Sequence, residues 1–437
     1  LNSIPPLTER LYHRSIWDIL WSCLFTIFLC SWVSLHPNIP PKGEKREMKW
    51  LRRSELFAWS IIGPELVVVW ALRQWISARK LADKYHGRGW TKTHGYFIQM
   101  GGFMLHDNNG AVGVLCSEHL ERFLSIGVVD FPTITNEDIQ AMAKSNGFLN
   151  FLVIIQTAWF IIQCITRKVQ GLAITELELV SLSFVLIYSI VGLLWWNKPM
   201  NVRATVPIYL KHEVMNNDRA IQEEIKRRIY AIAFDGSRKC VVEAGHGKSI
   251  LRDSKASATL LLYANKIVHK AGLTLSGLLY RWPRAGIIAI GLRITDFTSA
   301  GDVRSGELSV NSFYAYHPYT IGSQEHFALL WFPTVVAIAF GAIHCAGWNF
   351  FFPSFTEGIT WRVSAAIITG VPAEHFLDGN NLAVSMANII AICGALIFLP
   401  LFAIARIAIM VEAVISLRDL PTEALIAVSW TLVLPHI

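Results

Sequence analysis

The residue with the greatest chemical potential in this sequence is Glu65, which directly follows Pro64 inside an apolar stretch from Leu56 to Ile76. An ionisable side chain in the middle of a membrane-spanning helix is costly, and it is tolerated where it faces the interior of a helix bundle or a wet cavity. Pro64 also leaves a backbone carbonyl one turn earlier without its hydrogen bond. The pair predicts an ion or proton site in a transport pathway, or the proton donor of an enzyme within the membrane.

A purely structural role for this carboxyl group is the alternative. It could hydrogen-bond to Gln156 or Gln163 on a third predicted helix, or to Asn388 on a sixth. Arg406 stands at the end of the sixth apolar run, where its long side chain is expected to extend to the polar surface. The residues that we predict in or near a pathway are Glu65, Pro64, Gln156, Gln163, His344, Asn388 and Arg406.

The known catalytic and metal-binding motifs that we tested fail on spacing. Gly245 to Ser249 resembles the end of a phosphate-binding loop, but the first glycine of that loop is replaced by Val242. The 14 histidines include no pair three or four residues apart, so no two of them share a helix face as metal ligands, and His344 stands singly. We therefore predict no metal and no cofactor.

The composition indicates the setting of this chemistry. Of the 437 residues, 53% are hydrophobic and 16% are charged, whereas an ordinary soluble domain carries about 25% charged residues. The 16 Trp and 24 Phe exclude a disordered or linker-like protein. We predict an all-α, polytopic helical membrane protein with about six transmembrane helices and sizeable extramembrane helical loops.

Six stretches reach the roughly 20 apolar residues that a membrane-spanning helix needs. They run over Ile16–Leu35, Leu56–Ile76, Phe148–Ile165, Leu177–Trp196, Phe327–Cys345 and Leu382–Arg406. Trp195 and Trp196 lie near a predicted helix end, as aromatic residues of the membrane interface do. Residues 175–178 form a Thr-Glu-Leu-Glu capping box that predicts the start of the fourth helix.

These stretches divide the chain into three parts. Residues 1–206 form a four-helix membrane part with a loop over 77–146, and residues 326–437 form a two-helix membrane part. Residues 207–325 form an extramembrane or interfacial region between them. Within that region, isoleucines recur on one face of residues 218–234 and charged residues occupy the other faces, which predicts an amphipathic helix.

The positive charge of the chain is concentrated around the second predicted helix. The net charge is +7, and residues 37–95 hold twelve Lys and Arg against five Asp and Glu, which is the whole excess. Such flanks bind lipid headgroups, so we predict no nucleic-acid partner. Because the basic residues are divided evenly between the two sides of this helix, they do not set its orientation in a membrane.

Short strings of familiar sequence are dispersed over nearly the whole chain. They are HPNIP at 36–40, THGYF at 93–97, MGGF at 100–103, TELE at 175–178, WWNKP at 195–199, IHC at 343–345, WNF at 348–350, WR at 361–362 and PHI at 435–437. Together they resemble a large group of predicted multi-pass membrane proteins of filamentous and mushroom-forming fungi. The resemblance implies a fungal origin and a membrane location, and it assigns no activity and no functional residue.

Three kinds of function fit these features. The first is an oligomeric channel or transporter for an ion or small solute, with Glu65 in or near the pathway and with Gly341 and Ala342 packing closely between protomers. The second is a membrane-embedded enzyme that acts on a lipid or isoprenoid by protonation, with Glu65 as the catalytic acid. The third is a receptor or scaffold without a transported substrate.

The sequence does not decide whether the protein is an enzyme. The partners that we predict are the lipid bilayer, a second copy of the chain, and an ion or a small apolar, lipid-like ligand. The predicted location is the eukaryotic plasma membrane or an endomembrane.

Overall fold

The structure, a computed structural model, describes residues 13–41, 43–107, 110–143, 147–211, 307–316, 323–378 and 387–428. Its helices are α1 (Ile16–Ser34), α2 (Arg46–Ile62), α3 (Pro64–Lys84), α4 (Lys92–Gln99), α5 (Ser117–Ile126), α6 (Asn136–Met142), α7 (Gly147–Val169), α8 (Glu176–Leu194), α9 (Gln324–Cys345), α10 (Phe355–Asp378), α11 (Ala387–Ile415) and α12 (Thr422–Leu425). Its strands are β1 (Phe103–Asp107), β2 (Gly110–Val114) and β3 (Val206–Tyr209).

Five helical segments in the described ranges are long and apolar enough to span a membrane. They are Ile16–Ser34, Leu149–Val169, Glu176–Leu194, Gln324–Cys345 and Pro400–Arg418. The segment in α8 is central, since 61% of it is buried against 17% of the segment in α7. The predicted count of about six differs from this number because the second predicted helix is not a single straight helix.

That second helix is broken into α2 and α3, and the direction of the helix axis changes by 110° between them. Pro64 is the first residue of α3 and has no N–H to donate, so α2 cannot continue through it. Gly63 closes α2 by donating its N–H to the Trp59 carbonyl at 2.8 Å. The apolar run from Leu56 to Ile76 is therefore a bent pair, which corrects the sequence prediction.

Helices α1 and α8 are parallel, and their ends define the two ends of the bundle. Arg14, just before α1, contacts Glu178 in the first turn of α8. Beyond the opposite ends of the same helices, the His36 ring stacks on Trp195 with ring centroids 5.8 Å apart. We call these the Glu178 end and the Trp195 end of the bundle.

Helices α9 and α11 run antiparallel to α8. Near the end of α9, His344 lies 3.4 Å from Ser183 in the first half of α8. The turn that follows α11 reaches the Glu178 end, where the Ser416 hydroxyl donates a hydrogen bond to Glu176 at 3.0 Å. The last residues of both helices therefore lie towards the first residues of α8.

Helix α10 gives the C-terminal part a third long helix where the sequence predicted two. It packs closely on α9, because a Cβ atom added to Gly341 would lie 2.5 Å from the Thr369 hydroxyl oxygen. Trp361 of α10 also donates a hydrogen bond to the His344 carbonyl at 3.1 Å. Gly341 thus packs against α10 of the same chain, whereas we had predicted that it packs between protomers.

From the bend between them, both α2 and α3 extend towards the Trp195 end. In α2, Trp50 stacks on Trp32 near the end of α1, with centroids 6.1 Å apart. In α3, the Trp70 ring lies 4.8 Å from the Trp195 ring. The bend between them is deeper, where a tyrosine hydroxyl of α8 donates to the Ser60 carbonyl at 2.7 Å. The pair enters the bundle and returns to the end from which it came.

A small sheet shows that the all-α prediction is wrong in this respect. β1 pairs antiparallel with β2 and parallel with β3, in the order β2–β1–β3. Phe103 and Leu105 of β1 are buried in a second hydrophobic core with Phe97, Leu120 and Phe123. The strands are only four or five residues long, and β3 follows α8, so the parallel pairing has no local signal in the sequence.

This second core is attached to the bundle through α4. A Cβ atom added to Gly95 of α4 would lie 2.5 Å from the backbone oxygen of Ala78 in α3. Helix α3 therefore connects the bend inside the bundle with the sheet-containing part outside the Trp195 end.

The predicted amphipathic helix over 218–234 lies outside the described residues, as does most of the region over 207–325. The limits of the three predicted parts stay predictions for that reason.

Candidate functional site

Glu65 and Arg406, both singled out from the sequence, meet inside the bundle. Arg406 Nη2 lies 3.0 Å from Glu65 Oε2. The Arg406 side chain is 3% exposed and the Glu65 side chain is 16% exposed, so the ion pair is largely removed from solvent. The expectation that Arg406 extends to the polar surface is wrong, because its guanidinium turns inward to this carboxylate.

The ion pair lies near the middle of the bundle along its length. Glu65 is in the first turn of α3, next to the bend at Gly63. Arg406 stands ten positions before Ser416, which reaches the Glu178 end. At 1.5 Å per helical residue this places Arg406 about 15 Å from that end, which is half of a hydrocarbon layer of about 30 Å.

Two sources of positive potential converge on the Glu65 carboxylate. One is the Arg406 guanidinium. The other is the beginning of α3, because the N-terminal end of a helix carries a partial positive charge and N–H groups without partners inside the helix. No side chain caps this helix end. The end of α2 brings partial negative charge to the same bend, so the Arg406 guanidinium is the main group that favours an anion here. In the described conformation the Glu65 carboxylate supplies the negative charge.

Two donor atoms of Arg406 have no hydrogen-bond acceptor in the part of the chain that the structure describes. Its Nε and Nη1 atoms are buried and have no acceptor among the described residues. The guanidinium carbon lies 4.3 Å from the Phe340 ring centroid and 5.0 Å from that of Phe402, so the charge makes cation–π contacts with two aromatic rings. A buried donor left unsatisfied costs about 1–3 kcal/mol, and such a group in a folded protein calls for an explanation such as a ligand.

Of the other polar candidates, Gln156 is engaged away from this ion pair. Gln156, one predicted partner of the glutamate, instead donates from Nε2 to Thr26 Oγ1 at 3.0 Å and joins α7 to α1. Gln163 is half-buried on α7. Asn388 belongs to α11, but its side chain lies outside the described residues.

His344 packs close to the pair without joining it. Its Nδ1 donates to the Phe340 carbonyl at 2.7 Å, and its Nε2 lies 3.4 Å from the Ser183 hydroxyl. The residue is 1% exposed. Both ring nitrogens are engaged, so the histidine links α9 to α8. Among the residues that the structure describes, no group of three or more His, Cys, Asp or Glu could hold a metal ion.

A second charged cluster, at the Glu178 end, is built around the predicted capping box. The Thr175 N–H donates to Glu178 Oε2 at 2.9 Å, and the Glu178 N–H donates to the Thr175 hydroxyl at 3.3 Å, so the capping box is confirmed. Arg14 approaches the same carboxylate with Nη1 at 2.5 Å and Nη2 at 3.1 Å. The cluster fixes the beginning of α1 against the beginning of α8.

Arg167 completes this second cluster from the end of α7. Its Nε lies 4.0 Å from Glu178 Oε1. It also donates to four backbone carbonyl groups, at 2.6 to 3.2 Å, of Ala173, Glu423, Ala424 and Ile426. The cluster therefore ties the bundle to the segment around α12.

Sequence reasoning missed Lys198, which is buried at the Trp195 end. Its Nζ lies 4.6 Å from the Trp70 ring centroid and 4.2 Å from that of Trp195. The amine donates to the His36 carbonyl and to Gln74 Oε1, the latter at 2.8 Å. Burial lowers the pKa of Lys198 well below its ordinary value. Lys198 belongs to the WWNKP string and His36 to the HPNIP string, two of the strings that carry the resemblance described above, and the structure brings these two strings into contact.

The fold and the site define a helical bundle with several helices long and apolar enough to span a membrane. Near the middle of its length lies an ion pair that is incompletely paired among the described residues. Residues 8–222 match the sequence profile of a family of unknown function (DUF8562). The matched segment contains Glu65, Glu178 and Lys198 and ends before Arg406. No curated protein and no solved structure matches the chain. The resemblance to fungal multi-pass membrane proteins stays a prediction.

Proposed function

We propose that the protein is an integral membrane channel or transporter for a small anion, and that Arg406 is the group that binds the anion. The observation that carries this proposal is the incompletely paired guanidinium, which has two buried donors without acceptors among the described residues, beside a single, partly exposed carboxylate. A charged group inside a bundle of apolar helices is by default a candidate for a substrate pathway.

The bend between α2 and α3 supports a transport function. Many transporters bind their substrates near the middle of the bilayer, at the N-terminal ends of broken helices whose positive dipole ends face anionic groups. Helix α3 begins at this depth with Pro64. Interrupted backbone within a membrane must be buried in protein or line a wet cavity, and Gly63 at the bend is buried.

In this proposal, Glu65 competes with an arriving anion for the Arg406 guanidinium. Its carboxylate occupies Nη2 of Arg406 in the described conformation. Since two negative charges repel each other strongly at short range in a buried site, an arriving anion either displaces this carboxylate or shares the guanidinium with it. Removal of the Glu65 charge should therefore make the site easier for an anion to enter.

The outer surface of the bundle supports a location in a lipid bilayer. Helix α7 exposes Ile154, Ile155, Trp159, Ile162 and Ile165, each between 47% and 58%. Large apolar side chains in such a continuous exposed face need an apolar surrounding, and hydrocarbon provides it. A homo-oligomer and a place in the plasma membrane or an endomembrane are parts of the same proposal.

The enzyme hypothesis receives less support from this geometry. An acid that protonates a lipid or isoprenoid must carry a proton and face its substrate, whereas Glu65 is held by a guanidinium. It would have to leave this ion pair before it could donate. The unused donors of Arg406 suit a negatively charged ligand and not a developing carbocation.

The experiment is anion flux into liposomes reconstituted with the full chain, measured separately for chloride, nitrate, acetate and phosphate. We expect flux of at least one anion in the wild-type protein and a loss of roughly tenfold or more in Arg406→Gln, since a hydrogen bond to a charged group contributes about 1.5–3 kcal/mol. Glu65→Gln should increase the same flux. Lys168→Gln, at an exposed position on α7, is the matched control and should change nothing.

Arg406→Lys provides a second variant if Arg406→Gln does not fold, because it keeps the charge and reduces the number of donors. It should change the relative flux of planar and spherical anions while the protein keeps its thermal midpoint. Cation-selective flux, or anion flux that neither substitution alters, would contradict the proposal.

A further inference from the structure

We infer that the Trp195 end carries a binding site for an anionic phospholipid, with its phosphate in a basic cavity and an acyl chain in a neighbouring apolar crevice. This inference does not depend on whether the Glu65–Arg406 pair serves transport. It rests on two cavities of opposite character that share the segment following α1.

The basic cavity encloses about 150 Å³. Its charged side chains are Lys49, Arg52, Arg53, Arg203 and Glu44. Arg52 forms an ion pair with Glu44, and none of the other three cations has a carboxylate partner among the residues that the structure describes. Arg53 stacks over Trp32 with 4.6 Å between the guanidinium carbon and the ring centroid, and its buried Nε has no acceptor among the described residues. Three cations and an unused donor around one cavity favour a phosphate group.

The apolar crevice encloses about 500 Å³ between α1, α7 and α8, which lies within the range of roughly 300–1,000 Å³ that is usual for ligand pockets. Its walls are mostly apolar and include Val33, Val153, Ile154, Ile161 and Leu193. It exists because α7 packs loosely, with only 17% of its apolar segment buried. The shape and chemistry of the crevice suit a hydrocarbon chain.

The two cavities are neighbours along the chain at two places. At the end of α1 and just beyond it, Val33 and His36 line the crevice, while Pro37 and Asn38 line the basic cavity. After α8, the tryptophans that end the helix line the crevice, and the segment 201–203 lines the basic cavity. One molecule with a charged group and a hydrocarbon chain can therefore occupy both cavities.

Helix α2 presents the features of a helix at a lipid surface. Met48, Trp50 and Leu51 are 51%, 59% and 63% exposed, and the same helix contributes three of the cations of the basic cavity. Exposed apolar residues beside basic residues are typical of a helical segment at the level of the lipid headgroups. Here they occupy the first turns of α2, before the helix enters the bundle and ends at Gly63. This placement brings the basic cavity to the depth of a phospholipid phosphate.

The test measures lipids bound to the full chain in mild detergent by native mass spectrometry. The probes are dioleoyl phosphatidic acid, dioleoylglycerol, which has the chains without the phosphate, and inorganic phosphate, which has no chains. Lys49→Gln with Arg203→Gln removes two cations of the basic cavity other than the one paired with Glu44. Gly192→Phe fills the crevice, because a Cβ atom there meets nothing within 4 Å.

The matched controls are Arg79→Gln with Lys168→Gln, two exposed cations elsewhere, and Gly370→Phe, at a glycine whose Cβ position is equally open. We expect one tightly bound phosphatidic acid per chain. The Lys49 and Arg203 double variant should weaken it roughly tenfold or more relative to dioleoylglycerol. Gly192→Phe should weaken both lipids alike, and the controls should weaken neither.

Three results would overturn the inference. Equal binding of phosphatidic acid and dioleoylglycerol by the wild-type chain would remove the role of the phosphate. Displacement of the lipid by inorganic phosphate at similar concentration would reduce the site to a free-phosphate site. Unchanged binding of phosphatidic acid by Gly192→Phe would remove the crevice from the site.

Discussion

The bundle contains two buried clusters of charge that are built in different ways. Around Glu178, two arginines, a capping box and several backbone carbonyl groups supply a partner for each charged group. Around Arg406, one contact of 3.0 Å to Glu65 is accompanied by two guanidinium nitrogens without acceptors among the described residues. Both clusters join distant parts of the chain, but only the first is complete.

This difference separates buried charges with a structural role from those that can bind a ligand. A saturated cluster gains nothing from a further ligand, because each donor already has an acceptor, and it loses much when one member is removed. In an unsaturated cluster, the unused donors already destabilise the fold, and a ligand that accepts hydrogen bonds from them can remove this destabilisation. We therefore assign structure to the Glu178 cluster and function to the Glu65–Arg406 pair.

The largest effect should follow from Glu178→Ala. This substitution leaves Arg14 and Arg167 without their carboxylate and removes one half of the capping box, so we expect the free energy of unfolding to fall by about 3–5 kcal/mol. Denaturant unfolding of the detergent-solubilised chain measures it. A loss as small as that of an exposed ion pair would break the distinction between the two clusters.

Glu65→Gln should cost less, about 1–3 kcal/mol, because the amide oxygen of the glutamine would still offer Arg406 a neutral acceptor. Replacement of the whole pair, Glu65→Leu with Arg406→Met, should return the stability close to that of the wild-type protein, since an apolar pair of similar size often substitutes for a buried ion pair. The same unfolding assay compares the three proteins. A double variant less stable than Glu65→Gln would show that the pair is structural after all.

At the Trp195 end, the buried cation Lys198 has no carboxylate among its described partners. We expect the histidine beside it, His36, to make the stability of the protein depend on pH. Burial and the nearby charge of Lys198 lower the pKa of His36 to about 3. The folded state therefore keeps His36 neutral, whereas the unfolded state binds a proton at this residue below about pH 6.5. The free energy of unfolding consequently falls as the pH decreases from about 6.5 towards 3, by at most about 1.4 kcal/mol per pH unit.

His36→Gln should make this part of the stability curve flatter, and thermal midpoints measured between pH 7 and pH 4 test it. An unchanged slope in the variant would mean that other groups set the acid sensitivity. Lys168→Gln, at an exposed position on α7, serves as the comparison and should leave the slope unchanged.

The smallest effect should come from an exposed ion pair, which gives the baseline for the others. Lys84 Nζ lies 2.7 Å from Glu121 Oε1, with side chains 52% and 30% exposed. Glu121→Gln should change the free energy of unfolding by less than about 1 kcal/mol, because solvent screens such pairs. A loss comparable to that of Glu178→Ala would imply that distance alone, and not burial and saturation, governs these clusters.

Much of the helical framework could be predicted from the sequence. Four predicted spans agree with α1, α7, α8 and α9 to within four residues at each end, and the capping box of α8 was recognised from residues 175–178. Hydropathy and capping depend on neighbouring residues, so a local pattern contains them. The last predicted span fits less well, since the apolar segment found there is Pro400–Arg418.

The candidate site could be predicted only in part. Glu65 and Arg406 were both identified, but the interpretation of Arg406 as a surface-seeking side chain was wrong, and Lys198 was missed. Each of these outcomes depends on which helix packs against which. The bend at Gly63 had a visible cause in Pro64, yet the apolar residues on either side of it have the same composition as a straight helix.

The amino-acid sequence alone is sufficient to predict the long apolar helices, the first residues of several of them, and one acidic residue among apolar residues. The tertiary structure decided that Glu65 meets Arg406, which lies 341 residues away, and that Lys198 is enclosed by aromatic rings. The physical reason is that burial of an apolar segment follows from its own residues. The partner of a buried charge, in contrast, is set by the packing of helices that are distant in sequence.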